Sequence, residues 1–165
     1  MTSNDSPQIQ ALFAFVQKTP MLYGYKMLLL LVMLQVGKGG GFSLEETVGV
    51  FDRFYRRREE LGLLPEKQRG TKQAQLARKD LPSTIKNGPA PRFQGFLSLS
   101  ADKTHFEIQE DVWKAITPED SAALCNLAIQ RLATHFGGEK QLIEALVQYA
   151  FEDATDEKQG TSTTQ

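Results

Sequence analysis

Apolar and polar positions alternate along the chain with different periods, and each period predicts a different element. The densest apolar run is Met27–Leu34, eight consecutive residues within YGYKMLLLLVMLQV at 23–36. A segment that is apolar all the way round fits a helix enclosed by other elements. It falls short of the ~20 apolar residues that a bilayer-spanning helix needs. The run therefore predicts a buried central helix with the rest of the chain packed around it. Ahead of it, Ser6-Pro7 opens a helical pattern in which Ile9, Leu12, Phe13 and Val16 share a face, and Thr19-Pro20 ends it.

Beyond the central run, Gly37 and the KGGG at 38–41 predict a flexible turn. A phosphate-cradling loop would need a preceding strand and a Lys-Ser/Thr pair opening a helix, and neither is present. Ser43-Leu44-Glu45-Glu46 is a capping box that starts a helix reaching about Leu61, with Gly62 as its stop. Leu44, Val48, Phe51 and Tyr55 give that helix one apolar stripe, widened by Val50 and Phe54. From Leu63 to Asp80 the pattern becomes polar and basic, broken by Pro65 and Gly70, which predicts an exposed loop. Pro82–Asn87 reads as a short helix stopped at Gly88, with Pro89 and Pro91 opposing continuation.

Between Arg92 and Gln109 the period drops to two. Leu97 and Leu99 alternate with Ser98 and Ser100, and Phe106 and Ile108 alternate with His105 and Glu107. Ala101-Asp102-Lys103 supplies the turn of a hairpin, whose apolar face must lie on the helical core because a lone hairpin is not stable in water. Trp113 follows in a short turn or helix as a core anchor. Thr117-Pro118-Glu119-Asp120 starts a helix with the stripe Leu124, Leu127, Ala128, Leu132 and Phe136, broken by Gly137-Gly138. A last helix carries Leu142, Ile143, Leu146, Val147 and Ala150 on one face, and from Asp153 the sequence is polar and is expected to be disordered.

The elements add up to a mainly α fold with one β-hairpin. Core helix, turn, capped helix, short helix and hairpin follow in the order of a winged helix-turn-helix. The expected layout is one domain at 1–152, with a winged-helix-like core at 23–116, a C-terminal helical pair at 117–152 and a tail at 153–165.

Composition adds three restrictions. A chain of 165 residues suffices for one domain with a true core. Its net charge of −1 conceals a basic middle, +4 over Asp52–Leu81, and an acidic end, −4 over Gly138–Gln165. The single cysteine, Cys125, excludes an intrachain disulfide and fits a small buried hydrophobe. MTSNDSPQ at the start has no basic segment, so no secretory signal and a cytoplasmic location are expected. His105 and His135 lie 30 residues apart without a ligand-spaced neighbour, so no metal is expected. No nucleophile motif, paired acids or dinucleotide fingerprint occurs, so the chain is expected not to be an enzyme and to need no cofactor.

What remains is the basic middle. Arg53, Arg56, Arg57 and Arg58 crowd the end of their helix, where they either complement its dipole or contact phosphate. Under the winged-helix order, Ser83, Thr84, Lys86 and Asn87 lie on the recognition helix and can reach bases or phosphates. Lys103 sits at the wing tip. Lys67, Arg69, Lys72, Arg78 and Lys79 of the loop, with Arg92, add sequence-independent attraction.

Tyr25-Lys26 with MLLLLVMLQ, then FDRFYRRREELGL, PAPRFQ-GFLSL and VWKAITPEDSAAL, together resemble a helical, wing-containing module. That module accompanies helicases and HNH-type nucleases in bacterial anti-phage and restriction systems. The likeness runs from about Tyr23 to Phe136 and carries no catalytic signature. It implies a non-catalytic accessory subunit that engages DNA or RNA beside a larger nuclease or helicase, with no membrane partner. The alternative is a protein–protein adaptor whose basic face meets an acidic partner and no nucleic acid.

Overall fold

The computed structural model describes residues 6–21, 23–37, 40–63 and 78–163, the part after Glu152 as backbone only. The chain is mainly helical with a small antiparallel sheet. In order the elements are α1 (Pro7–Lys18), α2 (Tyr25–Gln35), β1 (Gly41–Ser43), α3 (Leu44–Glu60), a 3-10 turn at Arg78–Asp80, α4 (Leu81–Asn87) and α5 (Pro89–Arg92). They continue with β2 (Leu97–Leu99), β3 (His105–Ile108), α6 (Glu110–Trp113), α7 (Pro118–Phe136) and α8 (Lys140–Thr163).

α2 is the hub. Met27 to Met33 are all buried, because α3, α5 and α7 all pack on it. Leu30, Phe51, Leu97 and Leu132 belong to the same core. Both long amphipathic helices begin where local chemistry dictates. Ser43 accepts from the Glu46 amide at 2.9 Å while Glu46 accepts from the Ser43 amide at 3.2 Å. Thr117 and Asp120 repeat the reciprocal pair at 3.0 and 3.1 Å, with Pro118 in the first turn. Each box satisfies amides that helix ends otherwise leave without partners. α8 then lays Ile143, Leu146, Val147 and Ala150 against α3 and α7.

The sheet has three strands where one hairpin is expected. β3 lies in the middle, flanked by β2 and by β1, and both pairings are antiparallel. Phe42 of β1 pairs with Phe106, their rings stacked 5.3 Å apart, and the buried face of the sheet adds Leu97 and Ile108. Gly41, read as part of a flexible turn, is therefore a strand residue. Gly40 precedes it at φ 97°, and a side chain there would come within 2.9 Å of the Trp113 indole nitrogen. The Trp113 ring packs on this glycine but stays 37% exposed, so it is not the core anchor anticipated.

Two further differences concern helix ends. Pro89 and Pro91 do not stop helical structure after Gly88: α5 is a separate short turn with Pro89 at its first position, where a proline's missing amide costs nothing. The helical backbone of α8 runs to Thr163, past Asp153 where disorder is expected. Elongation from an established helix needs no new nucleus.

Candidate nucleic-acid interface

α3 carries the arginine run, and its helical turn distributes those side chains over different surroundings. Arg53 points under α8. It is only 8% exposed, packs against Gly49, and its Nε donates to the Ala150 carbonyl at 2.7 Å. Arg53 is thus occupied in joining two helices, which corrects its assignment as a phosphate contact. Arg58 is buried as well, its guanidinium 3.9 Å from the centre of the Phe136 ring, a cation–π contact.

Arg56 and Arg57 remain on the surface, each already held by an acid. Arg56 bridges Asp52 at 2.8 and 2.9 Å. Arg78 donates to the same carboxylate at 3.0 Å, so Asp52 ties the 3-10 turn ahead of α4 onto α3. Two guanidinium groups on one carboxylate leave this cluster with a positive surplus. Arg57 pairs with Glu60 at 3.0 Å and lies 5.3 Å from the Tyr149 ring. Lys79 is exposed beside the cluster. Lys67, Arg69 and Lys72 lie outside the described residues.

α4 divides its faces by period. Leu81 and Ile85 are buried, Ser83 and Asn87 are exposed, and Thr84 and Lys86 are half-buried. Asn87 Nδ2 donates to Ser83 Oγ at 3.2 Å, so two of the residues assigned to one face do lie together. Lys86 lines a cleft of about 360 Å³ shared with Ser98 and Leu99 of β2, which brings α4 and the hairpin to one side of the molecule. The hairpin turn is held by Asp102, whose carboxylate accepts from Ser100 Oγ at 2.7 Å, Thr104 Oγ1 at 2.8 Å and the Thr104 amide at 3.1 Å. These bonds pull its carboxyl down to about 2. Lys103 at the tip is exposed, in a left-handed conformation with φ 64°. Arg92 is exposed too but lines a different cavity, with Lys18 and Lys26.

Two organising residues escape a reading by charge alone. Asp52 was one acid inside a basic run, and only its shared partners reveal it as the clamp. Asp102 could have been found from the Ser-x-Asp-x-Thr spacing at 100–104, where a turn lets one carboxylate accept from both neighbours.

Among the described residues, no group of His, Cys, Asp and Glu is arranged to hold a metal ion. Cys125 is half-buried, and burial pushes its thiol up, away from reactivity. No helix is long and apolar enough to cross a membrane among the described residues. No family model, curated protein or solved structure matches the chain, so no link to helicases, HNH nucleases or defence systems comes from comparison.

Proposed function

We propose that the chain is a non-catalytic, winged-helix-like module that engages DNA or RNA through α4 and the β2–β3 turn. The supporting observation is the element order α2, β1, α3, α4, α5, β2, β3 with the strand order β1-β3-β2, together with the cleft that Lys86 of α4 shares with α5 and with residues of β2 and β3. Ser83, Lys86 and Asn87 then offer hydrogen-bonding groups, while Lys79, Lys103 and the surplus charge of Arg56 and Arg78 over Asp52 supply attraction for phosphate. Membership of a bacterial defence complex, as an accessory subunit beside a nuclease or helicase, is proposed on the sequence resemblance alone.

A second reading has its own observation. Leu61 and Trp113 are large apolar side chains 45% and 37% exposed, and Arg56 and Arg57 already hold carboxylates, as they would against an acidic protein. Under that reading the chain is an adaptor that docks a larger enzyme without touching nucleic acid.

Fluorescence anisotropy with labelled duplex and single-stranded oligonucleotides separates the two. Binding that is lost in K79Q/K86Q/K103Q supports the first reading. Absence of binding to either oligonucleotide at ~50 mM salt, where electrostatic attraction is strong, leaves the adaptor.

A further inference from the structure

α1 ends, α2 begins and α5 begins around one open cavity of about 810 Å³. Three aromatic side chains line it, Phe15, Tyr23 and Tyr25. The Tyr23 and Tyr25 rings stack 5.0 Å apart at 13°, and Tyr25 is braced edge-on by Tyr55 at 5.8 Å. The stacked rings give the cavity an aromatic wall. Three cations, Lys18, Lys26 and Arg92, share the cavity, and no carboxylate of the described residues lines it.

Protein partners explain these cations only in part. Lys26 Nζ donates to Thr19 Oγ1 at 2.8 Å and to the Pro20 carbonyl, which accounts for two of the three ammonium hydrogens. Behind it, Arg131 donates at 2.9 and 2.8 Å to the Val16 and Thr19 carbonyls. Capping the end of α1 thus accounts for Arg131 and for part of Lys26. It does not account for Lys18 or Arg92, neither of which forms an ion pair with a described residue. Burial, then the like charges of Arg92 and Arg131, push the Lys26 amine below its ordinary range, a cost that a bound anion would relieve. α2 opens beside Lys26, and the positive end of its dipole adds to the same field.

We infer that this cavity binds an aromatic phosphate monoester of nucleoside-monophosphate size. The aromatic wall takes a ring, as aromatic side chains take bases. Three cations lining one cavity match a phosphate dianion better than a single carboxylate charge. The volume falls in the range of small-molecule sites. The site shares no cation with the α4–hairpin cleft, which Lys86 lines, and neither Lys79 nor Lys103 lines the cavity. It therefore stands apart from the proposed nucleic-acid face.

The test is titration of the full chain with AMP, adenosine and inorganic phosphate, followed by amide chemical shifts. AMP should shift residues 11–26 and 88–92 saturably, with adenosine and phosphate each at least about tenfold weaker. K18Q/R92Q, at exposed positions, should weaken AMP about tenfold or more with an unchanged melting temperature, since each lost contact is a charge-assisted one. K79Q/K86Q/K103Q should leave AMP binding intact. The inference is overturned if no saturable shift appears up to about 5 mM AMP. It is also overturned if phosphate binds as well as AMP, or if the shifts centre on α4 and the hairpin turn.

Discussion

Arg53 joins α3 to α8 through a hydrogen bond that a single substitution removes. Its Nε–Ala150 bond of 2.7 Å is made by a charged donor in a site only 8% exposed, so solvent screens it little. Hydrogen bonds to charged groups contribute roughly 1.5–3 kcal/mol. Arg53→Met keeps most of the stem's volume and removes the donor, so it should lose about that amount. For a chain of 165 residues, each kcal/mol moves the melting temperature by about 2–4 °C. R53M should therefore melt roughly 3–12 °C below the parent, and R53A lower still, because the stem packing between α3 and α8 also goes. The assay is thermal unfolding by far-UV circular dichroism, run beside oligonucleotide binding well below the transition. An unchanged melting temperature together with weakened binding would return Arg53 to the surface and refute its structural role.

Two other outcomes follow from the same geometry. Leu30→Ala, at the fully buried centre of α2, should cost ~2–5 kcal/mol by chemical denaturation, and a loss under about 1 kcal/mol would remove α2 as the hub. Asp102 should titrate near pH 2 by side-chain NMR. A depressed carboxyl contributes stability above its unfolded value of about 4 and loses it as pH falls through about 2, so the hairpin turn should loosen only in that acid window. An ordinary carboxylate titration would show that Ser100 and Thr104 do not hold it.

What the sequence made legible was local. The Ser43/Glu46 and Thr117/Asp120 boxes each lie within four residues, so their chemistry is complete in the string itself. The α2 run and the period-two alternation of β3 are similarly self-contained. What it hid required partners far away in the chain. Arg53 meets a carbonyl 97 positions later, and nothing within the arginine run distinguishes it from Arg56. β1 is three residues long and exists through its pairing with β3, so KGGG at 38–41 reads as a turn until residue 106 is brought beside Phe42. The aromatic, cationic cavity draws on three segments whose members each have an unremarkable neighbourhood in sequence.

If α4 and the hairpin turn meet phosphate, oligonucleotide binding must weaken steeply as salt rises. Each neutralised phosphate should contribute ~0.7–0.9 to the slope of log affinity against log salt concentration. K79Q/K86Q/K103Q should lower that slope by about two to three while the melting temperature holds, because exposed charges contribute little to stability. An unchanged slope in the triple variant, or no measurable binding by the parent chain at ~50 mM salt, would contradict that contact.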